Sequence, residues 1–435
     1  MRYPETETDG RTIVDHSWDF EKADTKYSNH GFHSYPAMMI PQVARRLMET
    51  YGDGSKTLLD PFMGSGTAVL EAKLNPNFEK AYGVDINPLA LLVSKVKTTP
   101  IDYELLKTTF MNVLDESNDE LQQINFMKKK NMKDVDFFNI NYWFKPDVIS
   151  ELAILKNNID KIENKNKKIE SDLKDFFNVV LSEIARKCSN TRNGEYKLYR
   201  LSEDRLKKFN PKPILEFENK GKKNIERMKT FNEECGGCEV KILSEDSRLK
   251  TSIRDDSVDL MITSPPYGDS QTTVAYGQFS RLSLQWLGYD KKDIINIDKI
   301  SLGGKKLPES KNILDSPTLK DIVHKISEKD RKRAKTVLDF YIDFYKCVGE
   351  FDRVMRTGSK LCFVVGNRTI KGFKLPTDKI IVDLFKQKDN RYRHLETIIR
   401  RIPSKRLPKK NSPTNIRGEV GSMMNEEYIV ILEKR

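Results

Sequence analysis

The chain has no apolar stretch of membrane-spanning length and, after Met1, no short apolar core of the kind that directs secretion. Cysteine is scarce: five residues scattered over 435, an odd number, which argues against a disulfide framework and for a reducing compartment. The cytoplasm is therefore the expected location. Histidine is equally scarce at five, and no histidine stands at metal-ligand spacing from a cysteine. Cys235-Gly236-Gly237-Cys238 is a single pair whose second member opens an apolar strand pattern, so no metal is expected. No internal repeat is evident. What these absences leave is a chain long enough for one large α/β domain with insertions, or for two domains of ordinary size.

Charge is the first positive signal. Lysine and arginine total 76 against 64 acidic residues, a formal net charge of +12. Such an excess favours a polyanionic partner, with a merely basic soluble protein as the alternative.

The first thirty residues are polar and read as an arm or flap over the main body. Pro41 suits a first helical turn, and Val43, Ala44, Leu47 and Met48 mark one helical face. A short strand follows at Thr57-Leu58-Leu59-Asp60, then a glycine turn over 61–67, a helix from Ala68, and a second strand, Ala81 to Asp85. Asn87-Pro88 open the next helix. Strand, glycine turn, helix, strand, acid is the first half of a nucleotide-binding α/β unit.

The pattern breaks near Ile101. Residues 147–187 carry a helical stripe, and 188–235 read as polar and basic; the basic residues of 186–223, 305–306, 331–335 and 405–410 are candidate phosphate contacts. The core resumes at Cys238 to Leu243, with Glu245 and Asp246 at the strand end. Ser257 to Ile262 is an apolar run stopped at Thr263-Ser264-Pro265-Pro266-Tyr267. A second insertion occupies 268–330, and a helix from Val337 to Met355 leads to the strand 360–367. Strands at 396–402 and 427–432 suit a hairpin at a sheet edge, with a basic loop at 403–418. Five segments result: 1–100, arm and cofactor half; 101–235, a largely helical basic insertion; 236–267, core strands ending in the Ser264-Pro265-Pro266-Tyr267 segment; 268–330, a second insertion; and 331–435, the rest of the core with its hairpin.

Asp60-x-x-x-Gly64-x-Gly66 lacks both the three-glycine dinucleotide spacing and the lysine of a phosphate loop. Its glycines bring backbone amides close to a ligand at a helix terminus, which makes Asp60, Pro61, Phe62, Gly64, Gly66 and Thr67 candidates; a purely structural turn is the alternative. Asp85, closing the second strand beside Ile86, is placed to accept from ribose hydroxyls, or else to cap the next helix. Asp246 is placed to accept from an adenine amino group, or likewise to cap. His30, His33 and Tyr35 are candidates for a cofactor carboxylate or a phosphate, with loop packing as the alternative. Gln271, Thr272, Thr273, Tyr276, Gln278 and Arg281 stand near the proline segment as pocket-mouth or base-edge candidates, or as solvated loop.

Taken together, DPFMGSG at 60–66, YGVDINP at 82–88 and TSPPY at 263–267 resemble the S-adenosylmethionine-dependent DNA methyltransferases that act on exocyclic amino groups. FHSYPAMMIP at 32–41 looks like the family's segment that packs over the methionine end of the cofactor. The resemblance covers roughly 29–100, 238–268 and 335–435. It implies a Rossmann-like class I methyltransferase fold, a mixed seven-stranded sheet with helices on both faces and two large insertions. It also implies S-adenosyl-L-methionine as cofactor, with His33 and Tyr35 added to its binding set, and double-stranded DNA as partner.

In this reading Ser264 Oγ and the Pro265 carbonyl accept from the target amino group, Pro266 stiffens the loop, and Tyr267 offers a face for a flipped base. Serine at 264 resembles the cytosine-N4 members more than the adenine-N6 members. No Pro-Cys pair of the cytosine ring-carbon enzymes is present. A restriction-modification setting with a companion endonuclease is implied. An RNA or protein amide methyltransferase, and a non-catalytic nucleic-acid-binding module, are the alternatives. Base reading is expected from 101–235 first and from 268–330 second.

Overall fold

A computed structural model of the chain describes residues 10–127, 137–192, 194–268, 273–305, 314–388, 390–402 and 425–435. Along its strands apolar side chains alternate between two faces, and that alternation sets the layers. Leu58, Leu260, Ile262 and Val364 share one core. Their neighbours Leu59, Met261, Phe363 and Val365 share another on the opposite face. A sheet that is apolar on both faces has to be covered on both, the situation in which parallel strands occur.

The strands are β1 (Arg11–Val14), β2 (Thr57–Asp60), β3 (Lys80–Val84), β4 (Glu239–Leu243), β5 (Val258–Thr263), β6 (Met355–Val365), the small ribbon β7 (Thr369–Ile370) and β8 (Phe373–Lys374), then β9 (Tyr392–Arg401) and β10 (Glu426–Lys434). The main sheet runs β1-β9-β10-β6-β5-β2-β3-β4. Pairing is parallel except where β10 meets β6 and β9. From β9 to β4 this is the expected seven-stranded mixed sheet. An eighth strand, β1, comes from the polar amino-terminal arm and covers β9, so the terminal hairpin is not at the sheet edge. The basic loop expected at 403–418 lies outside the described residues.

Helices α1 (Pro41–Tyr51) and α2 (Thr67–Leu74) cover one face, and α3 (Pro88–Thr98) packs beside α2 and β4. The first insertion then folds as α4 (Tyr103–Met127), α5 (Ile140–Trp143), α6 (Pro146–Asp160), α7 (Lys167–Cys188), α8 (Glu203–Lys208) and α9 (Pro213–Glu234). It forms a third layer whose apolar core is continuous with Leu89, Val93 and Val96 of α3. Sequence reading missed α4 and α9. Phe217, Ile225, Met228 and Phe231 of α9 are buried although the sequence between them is mostly lysine, glutamate and asparagine. Gly221 admits α4: a Cβ there would stand 2.3 Å from the Phe110 ring.

The second insertion supplies α10 (Tyr276–Trp286), α11 (Lys291–Ile300) and α12 (Pro317–Lys329), and α13 (Arg331–Val354) and α14 (Thr377–Lys386) complete the fold. Helix α13 begins six residues before its apolar face does, because the Asp330 side chain caps it by accepting from Arg333 N. Together α12, α13 and α14 cover the second sheet face. Phe344 and Phe351 of α13 lie 6.3 and 6.4 Å from the Phe363 ring of β6. Each such buried ring contributes about 1.5–3 kcal/mol. Among the described residues no helix is long and apolar enough to cross a membrane.

Candidate active site

β2 and β5 are neighbours, but the chain moves from β2 out to β3 and from β5 out to β6, on opposite sides. At such a switch point the connections diverge and leave a crevice at the carboxyl ends of the strands. Asp60 ends β2 and Thr263 ends β5, and Thr263 Oγ1 donates to Asp60 Oδ1 across the crevice at 2.7 Å.

After Asp60 the chain turns tightly. Gly64 and Gly66 have φ of +50° and +78°, and a Cβ on Gly66 would stand 2.7 Å from Ser94 Oγ, so glycine is required there. Side chains from α3 pin the loop: Ser94 Oγ donates to the Gly64 carbonyl, and the buried Lys97 Nζ to the Ser65 carbonyl, both at 2.9 Å. Burial brings the Lys97 pKa down to about 7. Asp85 closes the turn from the other side, Oδ2 accepting from Gly64 N at 3.0 Å and Oδ1 from Asn87 N at 2.8 Å. Helix capping belongs to Asn87, whose Oδ1 accepts from Leu89 N. Asn87 Nδ2 also donates to Tyr35 OH and Ser280 Oγ, tying the amino-terminal segment and α10 to the same point.

A cavity opens over this loop. Of the sequence candidates it is lined by Tyr35, Asp60, Phe62, Gly64, Thr67, Asp85, Ile86, Asp246, Ser264 and Pro266. Six of the cofactor and catalytic candidates stand elsewhere, the first being His30, buried with Nε2 2.6 Å from Glu71 Oε1. His33 is buried beside Phe279 with Nδ1 2.7 Å from the Ser34 carbonyl, and burial lowers its pKa to about 4. Gly66 packs on Ser94, the Pro61 carbonyl accepts from Ser247 Oγ, and Pro265 and Tyr267 flank the lining residues Ser264 and Pro266 without lining this cavity themselves.

The cavity is electronegative. Asp60, Asp85, Glu245 and Asp246 line it against one cation, Arg248, which is paired bidentately with Asp246 at 2.6–3.1 Å. Burial pushes Asp60 up to about 7 and Asp85 up to about 6, the latter against the opposing amide bonds of Asn87 and Gly64. At Asp246 burial acts upward as well, but the Arg248 hydrogen bonds outweigh it and its pKa is lowered. At the far end α2 begins with no side-chain cap, so its first amides are left for an anionic group. A compact cation carrying a carboxylate and a ribose matches these features: acids around the positive centre and hydroxyls, helix amides for the carboxylate.

Tyr276 of α10, a pocket-mouth candidate from the sequence, reaches the cavity; Arg248, and Ile297 and Ile300 of α11 in the roof, had not been expected there. Tyr276 stacks on Tyr35 with centroids 6.1 Å apart. Gln278 is spent on accepting from Leu198 N, and Gln271 and Thr272 lie outside the described residues, as do 405–410 among the basic candidates. Arg186, one of the phosphate candidates, is a packing residue: it is buried over the Phe279 ring, and burial lowers its pKa to about 10.

On the opposite wall Pro265 and Pro266, which have no N–H, end β5. Ser264 Oγ lies 3.4 Å from Tyr267 OH, and Tyr267 OH lies 3.4 Å from Glu427 Oε1. Gly268 follows with the Arg368 guanidinium against its Cα, since a Cβ would meet it at 2.3 Å.

This sheet order, with ligand-facing loops at one edge and helices on both faces, is the Rossmann-like class I methyltransferase fold. A family model described as D12 class N6 adenine-specific DNA methyltransferase matches residues 39–285, from before α1 to the end of α10. The Type II methyltransferase M.MvaI of Kocuria varians is 42% identical, over 95% of this chain and 93% of that protein. M.BsoBI of Geobacillus stearothermophilus is 25% identical over 86% and 80%. M.MjaII of Methanocaldococcus jannaschii is 31% identical over 23% and 18%. The chain belongs to the S-adenosylmethionine-dependent DNA amino-methyltransferases of the D12 class, enzymes that methylate an exocyclic amino group of a DNA base.

Proposed function

We propose that the target is the N4 amino group of cytosine in a short duplex sequence, and that Ser264 carries this choice. An exocyclic amino nitrogen is a weak nucleophile because its lone pair is delocalised into the ring. Ser264 Oγ and the Pro265 carbonyl accept its two hydrogens and draw it toward tetrahedral geometry, bonds that strengthen as positive charge develops. Tyr267 offers its ring to the extruded base and Pro266 limits the freedom of the segment.

S-adenosylmethionine supplies an electrophilic methyl group. Asp85 and Ile86 would hold its ribose, Asp246 would accept from its adenine, and Asp60, Phe62, Gly64 and Thr67 line the rest of the cavity it would fill. Tyr35 holds the methionine end. Pro61 and Gly66 act by shaping the loop, and His33 by packing beneath Tyr35.

The observation that carries the reading is the facing of two walls: the glycine loop with Asp85, and Ser264 across one cavity. The Type II designation of the relatives supports a cytoplasmic restriction-modification setting with a companion endonuclease for the same sequence. Adenine N6 is the second reading, favoured by the description of the matched family. Plasmid DNA methylated by the purified protein, digested to nucleosides and weighed, decides: N4-methylcytosine is expected, and N6-methyladenine in its place refutes the cytosine assignment.

A further inference from the structure

Behind Ser264 a line of polar groups crosses into the sheet. Ser264 Oγ stands 3.4 Å from Tyr267 OH, which stands 3.4 Å from Glu427 Oε1; Glu427 Oε2 is ion-paired with Arg400 Nε at 3.2 Å, a charge contact out of line for a hydrogen bond. Arg400 is 2% exposed and its NH1 donates to the Trp18 carbonyl at 3.1 Å. Glu427 of β10 and Arg400 of β9 are register partners, so the backbone itself sets this ion pair. Both hydroxyl spacings are longer than the O–H···O optimum, as is common in catalytic groups that tighten around substrate.

A serine hydroxyl can offer an incoming amino group either a lone pair or a proton, and only the first assists catalysis. The chain of partners decides which. Guanidinium only donates, and the carboxylate paired with it only accepts. Tyr267 must therefore donate to Glu427, which leaves the tyrosine oxygen to accept from Ser264 and the serine lone pairs facing the cavity. We propose that Glu427 is a positioning residue that sets the hydrogen-bond polarity of the catalytic segment through Tyr267, so that Ser264 meets the target nitrogen as an acceptor. This rests on the reading of Ser264 as the acceptor group.

Glu427→Gln tests it with little change of shape. The Arg400 charge draws the amide oxygen to its side, the amide NH2 turns to Tyr267, and the polarity reverses. Single-turnover methylation should slow by about 10–100-fold, as for loss of a transition-state hydrogen bond of this class. S-adenosylmethionine affinity by calorimetry should stay within about twofold, and the unfolding temperature should be close to that of the parent. In a Tyr267→Phe background, where the relay is already cut, adding Glu427→Gln should cost less than about twofold. An equal loss in both backgrounds, or a single variant within twofold of the parent, overturns the proposal. Should Glu427→Gln not fold, Tyr267→Phe alone decides: a slowing of about tenfold at unchanged cofactor affinity supports the relay, and an unaltered rate overturns it. Ser264→Ala is the separating control. If that variant methylates normally, the reading of the site itself fails; if it is inactive while Glu427→Gln is normal, only the polarity proposal fails.

Discussion

The donor wall and the acceptor wall of the cavity are built on different terms. Around the glycine loop, Gly64 N, the Gly64 carbonyl, the Ser65 carbonyl and Phe62 N are each tied by a side chain, from Asp85, Ser94, Lys97 and Asp60 in turn. Across the cavity the Ser264 hydroxyl has Tyr267 at 3.4 Å. The first wall is organised before any ligand arrives; the second carries a hydroxyl with one long contact, which the proposed role of Ser264 leaves for the base to complete. Preorganisation lowers the cost of holding a cofactor, whereas groups that tighten only in the transition state raise the rate. Substitutions on the donor wall should accordingly register in cofactor affinity and stability, and those on the acceptor wall in the rate of methyl transfer.

The largest expected effect tests the acceptor wall. Ser264→Ala should slow single-turnover methylation by about 10²–10³-fold while cofactor affinity by calorimetry stays within about twofold. A loss of cofactor affinity instead would erase the distinction between the walls. Next in size is Asp85→Ala, which frees the backbone amides of Gly64 and Asn87 and removes the carboxylate proposed to face the ribose. Cofactor affinity should weaken by about 10–100-fold, with the rate at saturating cofactor nearly kept. Gly66→Ala forces a Cβ onto Ser94 at positive φ and should destabilise the fold by about 2 kcal/mol, seen as a lower midpoint in urea.

The smallest effect is a pH dependence. Asp60 titrates near 7 in the fold, above the 3.8 of a free aspartate, because burial disfavours its charged form. A raised carboxyl pKa means that the folded chain holds a proton the unfolded chain has lost. This contribution to stability is complete below about pH 4 and disappears as pH rises through 7. Asp85 acts in the same direction up to about 6. Asp60→Asn keeps an oxygen for Thr263 and Phe62 N and should gain on the order of 1 kcal/mol over the parent at pH 8 relative to pH 4. A parallel pH profile in urea unfolding would show that the donor wall carries no such strain.

Legibility followed the range of the interaction. β2, β3 and β5 were readable because apolar runs of four to six residues end abruptly at an acid or at prolines, which are local signals. Helix α4 also had its signal, Leu106, Phe110, Val113 and Leu114 at helical spacing, and was passed over because charged residues surround it. β1 carried almost no signal: its burial pattern is nearly all exposed, and it exists because β9 offers an open edge. In the site, Asp60, Asp85, Asp246 and Ser264 were marked as candidates from strand ends and Tyr276 as a pocket-mouth candidate, and all five line the cavity, whereas Arg248 and the α11 roof were not marked. No local periodicity tells an arginine two residues past Asp246 to turn back onto it, or brings Ile297 over a loop more than two hundred residues earlier.

By itself the sequence determined the local framework: a glycine turn after an acid-ended strand, a second strand followed by Asp85, and a proline-stopped strand carrying Ser264. Those depend on backbone freedom and strand termination, which neighbouring residues control. Only the tertiary structure decided what each group does with its hydrogen bonds. Asp85 spends part of its capacity on Gly64 and Asn87, Asp246 is engaged by Arg248, and Glu427, 160 residues beyond Tyr267, reaches its hydroxyl. The polarity of a hydroxyl is set by the partners that packing brings to it, and packing is a property of the whole sheet.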